Sequence, residues 1–253
     1  MAIKIAIIIQ ARTNSQRLPN KIIRPFYRNK SILEIIIHKL KKTGFKIYLA
    51  TTYCSDDDRI KKIADQEKIE CFRGDEQNVL SRFFSVSKKN KLTHAIRVCS
   101  DNPFININLL NNMVLNLEKN PSMDYIGYFD KKGKPMILSH FGFFSEIISF
   151  GAMKKTIESN IEKRYYEHVT NYTYENPDKF KILELRANKI FDNLENIRLT
   201  VDNYLDFEIA SSIFSFYDGN SESYEELIKY IINKTDFVNQ MEINIKNNKK
   251  WHT

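Results

Sequence analysis

The fold is decided by residues 3–21, where an aliphatic run leads directly into a basic loop. The sequence of this stretch is Ile3-Lys4-Ile5-Ala6-Ile7-Ile8-Ile9-Gln10-Ala11-Arg12-Thr13-Asn14-Ser15-Gln16-Arg17-Leu18-Pro19-Asn20-Lys21. A near-continuous aliphatic run dominated by β-branched residues predicts a strand buried on both faces of a parallel sheet. A loop that leaves the carboxyl end of such a strand lies where open α/β sheets bind ligands. The stretch therefore predicts an α/β fold with a binding site at this loop.

The basic loop carries three cations and no glycine. Arg12 and Arg17 offer planar guanidinium groups that can hold phosphate oxygens at two points, and Lys21 adds a compact point charge. The hydroxyl group of Ser15 can donate a further hydrogen bond. These side chains predict a polyphosphate site, and the alternative is a solvated basic turn.

Strand and helix signals alternate after this loop. Strands are predicted at residues 46–50, 70–72 and 94–98, and helices at 31–42, about 56–66, and 77–91. Ser31 and Glu34 match a capping box, and Gly44 ends the first helix. The run Asp56-Asp57-Asp58 suits the dipole at a helix start, which accounts for it without catalysis. Such alternation predicts a parallel sheet with right-handed crossovers.

The pattern is looser beyond residue 120. Strands are predicted at residues 123–129, 141–148, 179–185 and 196–201, and helices at 149–159, 162–174, 205–216 and 224–233. Residues 236–253 are predicted to form a mobile basic tail. The whole pattern predicts a mostly parallel mixed sheet flanked by helices.

A series of sequence blocks resembles the cytidylyltransferase superfamily, which includes CMP-Kdo and CMP-sialate synthetases and a spore-coat polysaccharide type that is nearest in pattern. The first block is Gln-Ala-Arg, Ser, Arg-Leu-Pro and Lys within residues 10–21. The others are Ala50-Thr51-Thr52 with the three aspartates, Phe72-Arg73-Gly74-Asp75 with Val79-Leu80-Ser81-Arg82, Arg97-Val98-Cys99-Ser100-Asp101-Asn102-Pro103, Glu167-His168-Val169-Thr170, and Arg198-Leu199-Thr200-Val201-Asp202. The blocks fall in the family's order from about residue 3 to about residue 210.

The resemblance implies a nucleotide-diphospho-sugar transferase fold of the GT-A, Rossmann-like type with a smaller β-containing insertion. A nucleotidyltransferase domain would cover residues 1–235. Within it, the segment at about 123–180 would form the acceptor and dimerisation region.

The resemblance also implies which residues bind substrates. The nucleotide would contact Ala11, Arg12, Thr13, Ser15, Arg17, Lys21, Arg73 and Arg82, among which Arg12, Arg17 and Lys21 would be catalytic. The acceptor would contact Phe144, Glu146, Glu167 and His168. Surface salt bridging is the alternative for Arg73 and Arg82, and structural packing is the alternative for His168. Phe144 replaces an acidic residue that is usual in the spore-coat type, and Ser100 replaces a common glycine, so we expect altered acceptor recognition.

Two aspartates are the predicted ligands of a Mg²⁺ cofactor. Asp101 and Asp202 each follow an apolar run, so each would lie at the carboxyl end of a strand. Mg²⁺ is usually bound by one or two carboxylates plus substrate phosphates, and the resemblance places metal ligands at these positions. Without the resemblance, Asp101 would be a turn residue before Asn102-Pro103 and Asp202 a helix cap.

The resemblance implies Mg²⁺-dependent transfer of CMP from CTP to a sugar acid, sugar phosphate or other small phosphorylated acceptor, with release of pyrophosphate, in surface-polysaccharide precursor synthesis. The expected partners are CTP and a small anionic acceptor, with neither nucleic acid nor membrane. We expect a homodimer in the cytoplasm. The net charge of +8 is compatible with nucleic acid, an acidic membrane or anionic small substrates as the partner. Three cysteines without paired spacing predict neither a disulfide framework nor a zinc site.

Two other functions remain open. A nucleotide-binding or RNA-binding module without catalysis would use the basic charge and would show steeply salt-dependent binding to polynucleotides. The chain lacks a basic recognition helix, which disfavours this reading. A catalytically idle assembly partner is the third possibility, and the retained loop cations and aspartates argue against it.

Overall fold

A computed structural model describes residues 2–159, 161–217 and 223–247 of the chain. The strands are β1 (Ile5–Gln10), β2 (Pro25–Tyr27), β3 (Lys30–Ser31), β4 (Ile47–Thr52), β5 (Glu70–Gly74), β6 (His94–Cys99), β7 (Tyr125–Phe129), β8 (Glu146–Ser149) and β9 (Ile182–Arg186). The helices are α1 (Ile32–Lys41), α2 (Asp58–Gln66), α3 (Val79–Lys89), α4 (Ile107–Lys119), α5 (Phe150–Glu158), α6 (Arg164–Glu167), α7 (Asn171–Tyr174), α8 (Tyr204–Tyr217), α9 (Tyr224–Ile232) and α10 (Thr235–Asn247). Helix and strand alternate from α1 through β6, as predicted, whereas the short strands β2 and β3 before α1 were not predicted.

One seven-stranded sheet organises the chain, in the order β5-β4-β1-β6-β8-β7-β9. Strand β8 runs antiparallel to both of its neighbours, and the other strand pairs of this sheet are parallel. The predicted α/β fold with a mostly parallel mixed sheet is confirmed. Strands β7 and β8, which come from the region expected to hold a smaller insertion, pair within the main sheet.

Strand β1 is buried on both faces of the sheet, which explains the aliphatic run that opens the chain. Ile7 and Ile9 join the core on the face covered by α1, α4, α8 and α9, whereas Ala6 and Ile8 join the core on the face covered by α3 and α5. Helix α1 begins with the predicted capping box, because Ser31 and Glu34 each accept a hydrogen bond from the other's backbone N–H.

Three predictions for the second half of the chain are wrong in detail. Residues 141–145 are not part of β8, because Gly142 has a φ of +68° that strand geometry does not allow. The helix predicted at 162–174 is two short helices, α6 and α7, since His168 adopts extended dihedral angles between them. The strand predicted at 196–201 does not form. Its amides donate to loop carbonyls instead, from Leu199 to His140 and from Val201 to Asp101.

The predicted mobile tail is also corrected. Residues 235–247 form helix α10. Its residue Met241 is 1% exposed and packs in the main hydrophobic core. The pattern there is only weakly amphipathic, so it did not indicate a packed helix. Residues 248–253 lie outside the described residues.

Candidate functional site

The basic loop, residues 11–21, leaves the sheet at the carboxyl end of β1. Ala11 continues the strand pairing, because its N–H donates to the carbonyl oxygen of Ala50 over 3.1 Å. The neighbouring strands β4 and β6 end at the same edge. The loop therefore lies where parallel α/β sheets place their ligands.

A buried carboxylate, that of Asp57, fastens this loop to the end of β4. Asp57 is 1% exposed, and its Oδ1 accepts hydrogen bonds from the backbone N–H and the hydroxyl of Thr13 at 2.8 and 2.7 Å. Its Oδ2 accepts from the hydroxyl of Thr51 at 2.9 Å, and from the hydroxyl and N–H of Thr52 at 2.6 and 3.2 Å. Burial raises the pKa of Asp57, but these hydrogen bonds outweigh it and hold the pKa below its usual range.

Thr13, which Asp57 holds in place, in turn hydrogen-bonds to other residues of the loop. Its carbonyl oxygen accepts from the N–H groups of both Ser15 and Asn20 at 2.9 Å, which curls the chain back on itself. Asn20 has a φ of +62°, a left-handed conformation that asparagine tolerates. The loop therefore makes a sharp turn without glycine, whereas glycine-rich phosphate loops use glycine for such a turn.

Each predicted cation of the loop is paired with a carboxylate. Arg12 contacts Glu167 at 2.7 Å, and Arg17 contacts Oδ1 of Asp202 at 3.0 Å. The Lys21 ammonium contacts Asp101 at 3.0 Å and Asp202 at 3.4 Å. The basic loop, Asp101 and Asp202 are therefore brought together, as expected from strands that end at one edge.

Lys21 is the most enclosed of the three cations. Its Nζ atom also donates to the carbonyl oxygen of Val201 at 2.6 Å, and only 11% of its side chain is exposed. Burial lowers the pKa of Lys21, but the charges of Asp101 and Asp202 and the hydrogen bonds to them outweigh it, so the pKa is raised above 10.5. Lys21 is therefore a permanent cation at neutral pH.

A second set of buried charges holds Asp202 in place. Arg198, whose side chain is fully buried, donates to Oδ2 of Asp202 at 2.8 Å and to both oxygens of Asp206 at 2.6 and 3.0 Å. It also donates to Nδ1 of His140 at 2.9 Å. Asn244 on α10 donates to Asp206 at 2.5 Å. The C-terminal helix therefore supports the loop that carries Asp202.

Asp101 and Asp202 are the residues that could hold a divalent cation. Both carboxylates reach the same ammonium nitrogen, so they converge on one position where positive charge is stabilised. No group of three or more His, Cys, Asp or Glu side chains suited to a metal occurs among the residues that the structure describes. Two carboxylates completed by phosphate oxygens form a donor set that fits Mg²⁺.

The two other predicted nucleotide cations, Arg73 and Arg82, mainly contact backbone carbonyls. Arg73 donates to Thr52 and Cys54, each at 2.7 Å, and pairs with Asp58 at 2.5 Å. Arg82 is 2% exposed and donates to the carbonyls of Asp75 and Glu76. Burial, and then the nearby Arg12 charge, lower the pKa of Arg82 to about 10. Both side chains shape the loops at the ends of β4 and β5.

The predicted acceptor residues divide into two exposed and two buried side chains. Glu167 and His168 are exposed, and Glu167 contacts Arg12 of the basic loop. Phe144 is 2% exposed, with its ring packed against Tyr128 and Phe191. Glu146 is 1% exposed. The structure therefore brings Glu167 to the basic loop, leaves the adjacent His168 exposed, and places Phe144 and Glu146 in the interior.

Glu146 is the centre of a buried network below the site. Its Oε2 accepts from Arg97 at 2.5 Å and from the Thr170 hydroxyl at 2.9 Å, and its Oε1 accepts from the Tyr125 hydroxyl at 2.6 Å. Arg97 also donates to Gln10 at 3.0 Å. Burial and the Glu146 charge raise the pKa of Tyr125 well above 10.0, so it remains a donor.

Several residues that form the site were missed by sequence reasoning. Asp57 was explained by the helix dipole, and Arg97, Arg198 and Asp206 were given no role. A signal was present for Arg97, because a charge inside the apolar run at residues 95–98 requires a buried partner. No comparable signal separates Asp57 from the aspartates on either side of it.

Two further features are the state of the cysteines and the character of the helices. The three cysteines are free thiols. Within the described ranges, no helix combines the length and apolar character needed to cross a membrane.

The chain is similar to known proteins over most of its length. A family model described as cytidylyltransferase matches residues 6–243. An uncharacterised protein of Methanocaldococcus jannaschii is 35% identical over 230 residues, which is 90% of each chain. The spore coat polysaccharide biosynthesis protein SpsF of Bacillus subtilis is 29% identical over 218 residues, covering 83% of this chain and 86% of SpsF. A solved structure of a cytidylyltransferase from Leptospira borgpetersenii superposes with a TM-score of 0.81 at 27% identity, covering 94% of this chain and 97% of that one.

Proposed function

The chain belongs to the cytidylyltransferase family, and on that premise we propose that it transfers CMP from CTP to a small anionic acceptor and releases pyrophosphate. The observation that carries the proposal is the convergence of Arg17 and Lys21 with Asp101 and Asp202 at one edge of the sheet, with Arg12 in the same loop. Cations suit the triphosphate, and paired carboxylates suit a divalent ion bound with it.

The loop cations would act on the donor. Arg12 and Arg17 are each about 40% exposed, at 39% and 42%, so their guanidinium groups can reach a phosphate from solvent. With Lys21 they would hold the β- and γ-phosphates and stabilise the charge that develops on departing pyrophosphate. Asp101 and Asp202 would hold Mg²⁺, which when bound supplies further charge neutralisation to phosphate oxygens.

The acceptor oxygen would attack the α-phosphorus from the side of Glu167 and His168. These two residues are exposed at the end of α6, and Arg12 joins Glu167 directly to the donor loop. Alignment of the two substrates accounts for most of the rate in such transfers, because the protein performs little covalent chemistry. A hydroxyl acceptor would give a CMP-linked product and a phosphate acceptor a CDP-linked one.

Three features of the proposal concern the biological setting. The similarity to SpsF supports a role in surface-polysaccharide precursor synthesis. The use of CTP and the free thiols suit a cytoplasmic enzyme. A homodimer through the region 123–180 completes the proposal.

One assay tests the reaction. Purified protein is incubated with each nucleoside triphosphate, Mg²⁺ and a panel of sugar acids, sugar phosphates and small phosphomonoesters, and pyrophosphate release is measured. We expect release with CTP and one acceptor class only, and silence with CTP across the panel would contradict the proposal. Asp101→Asn and Asp202→Asn should each abolish turnover, whereas Asp65→Asn, on an exposed turn of α2, should not.

A further inference from the structure

Two buried carboxylates lie beneath the candidate site. One is under its donor half, the basic loop, and the other is under its acceptor half, the segment with Glu167 and His168. Asp57 is 1% exposed and lies below the basic loop, and Glu146 is also 1% exposed and lies below the segment that carries Glu167 and His168. Neither side chain faces solvent, so neither can contact a substrate. Each has both carboxylate oxygens occupied by donors from the protein.

The Asp57 contacts reach the donor half of the site. Five hydrogen bonds of 2.6–3.2 Å join its carboxylate to Thr13 in the basic loop and to Thr51 and Thr52 at the end of β4. Thr13 in turn accepts from Ser15 and Asn20. The position of the loop cations therefore depends on this carboxylate.

The Glu146 contacts reach the acceptor half. Oε2 of Glu146 accepts from the hydroxyl of Thr170 at 2.9 Å, and Arg97 donates to both side chains, at 2.5 Å to Glu146 and 3.3 Å to Thr170. Val169 and Thr170 are fully buried, whereas Glu167 and His168 immediately before them are exposed. In the run 167–170, the buried pair therefore anchors the exposed pair.

From these contacts we infer that Asp57 and Glu146 are separate positioning residues for the proposed reaction, Asp57 for the nucleotide and Glu146 for the acceptor. None of the hydrogen bonds given above joins the Asp57 set to the Glu146 set. The halves meet at two contacts, the hydrogen bond from Arg97 to Gln10 just before the basic loop and the ion pair of Arg12 and Glu167, whose side chains are 39% and 55% exposed. An exposed pair of this kind couples its partners only weakly. The inference rests on the proposed function. It states that binding of the nucleotide depends on Asp57 and binding of the acceptor depends on Glu146.

The test uses Asp57→Asn and Glu146→Gln in the full chain, each serving as the control for the other. Binding of CTP with Mg²⁺ is measured by calorimetry. Asp57→Asn should raise the dissociation constant about tenfold or more, because the amide cannot accept all the donors that Thr13, Thr51 and Thr52 direct at it. Glu146→Gln should leave the constant within about twofold, since its partners lie outside the basic loop.

Hydrogen exchange gives a readout that does not depend on turnover. Asp57→Asn should accelerate amide exchange in residues 11–21 and leave residues 164–174 unchanged, and Glu146→Gln should do the reverse. A merely global loss of stability would accelerate exchange in both segments together. That result, or unchanged CTP affinity in Asp57→Asn, would overturn the inference.

Milder variants keep the test decisive if either substitution prevents folding. Thr51→Val removes one donor to Asp57, and Thr170→Val removes the hydroxyl that joins the acceptor segment to Glu146. Thr170→Ser restores that hydroxyl and should restore slow exchange at residues 164–174. If wild-type protein fails to bind CTP, the proposed function fails, yet the exchange pattern still decides whether the two supports are separate.

Discussion

Lys21 joins the basic loop to both predicted metal ligands. Its ammonium group contacts Asp101, Asp202 and the carbonyl oxygen of Val201. A cation that is buried and ion-paired is fixed in place, and a fixed charge stabilises a transition state without reorganising. Lys21 holds the two carboxylates together, and under the proposed function it would also present positive charge to the phosphates.

Replacing Lys21 tests both roles. Lys21→Met keeps much of the side-chain volume but leaves Asp101 and Asp202 facing each other without the ammonium group. We expect pyrophosphate release to fall about 10²-fold or more, the cost of removing one fixed donor to developing charge. Lys62→Met, at an exposed position of α2, is the matched control and should retain the wild-type rate. A near-normal rate in Lys21→Met would contradict its catalytic role.

Asp57 predicts a specific pH dependence of stability. Its folded-state pKa is held below the ordinary 3.8, so its ionised form stabilises the fold above that value, and this contribution is lost as pH falls through the folded-state pKa. Urea denaturation of wild type and Asp57→Asn should differ most at neutral pH, and the difference should shrink below about pH 4. A difference that is independent of pH would show that Asp57 acts by packing alone.

At the scale of elements, the hydrophobic pattern predicted the first half of the sheet well because three of its strands, β1, β4 and β6, are buried on both faces. The same reasoning failed at residues 196–201. Ile197, Leu199 and Val201 alternate and are buried, which matches a strand, but their backbone pairs with loops near His140 and Asp101. Burial periodicity does not reveal which partner accepts the backbone hydrogen bonds, so a buried irregular segment resembles a strand.

For the candidate site as well, the sequence pattern did not reveal tertiary partners. Asp101 and Asp202 were predicted to lie together because they follow apolar runs and match family blocks, and the structure does bring them together. Asp57 was not found, because its function depends on Thr13, a residue 44 positions away in sequence. Supports of this kind arise from tertiary contacts and leave no local pattern.

Helix α10 offers a test at the scale of an element. Asn244 donates to Asp206, and Asp206 in turn accepts from Arg198, which holds Asp202. Asn244→Ala should therefore lower kcat by about tenfold, since misplacement of catalytic groups by a fraction of an ångström is costly. Ile243→Ala changes an adjacent side chain that is 55% exposed and should leave kcat unchanged. Equal kcat values in the two variants would exclude a role for α10 in positioning Asp202.

At the scale of the whole molecule, the site is assembled from segments distant in sequence. Arg12 pairs with Glu167 across 155 positions, and Lys21 contacts Asp202 across 181. A ligand that joins the loop cations to Asp101 and Asp202 therefore connects segments that are far apart in the sequence. Binding at such a site stabilises the whole fold, because the unfolded chain cannot reproduce it.

This coupling predicts a nucleotide-specific thermal shift. CTP with Mg²⁺ at about 100 times its dissociation constant should stabilise the protein by about 2.7 kcal/mol. For a chain of this length that corresponds to a rise in Tm of roughly 5–11 °C, measured by scanning calorimetry. ATP and GTP at the same concentration should give much smaller shifts, and Asp202→Asn should abolish the CTP shift. Equal shifts with all nucleotides would mean that the basic loop recognises triphosphate alone and that cytosine selectivity lies outside this site.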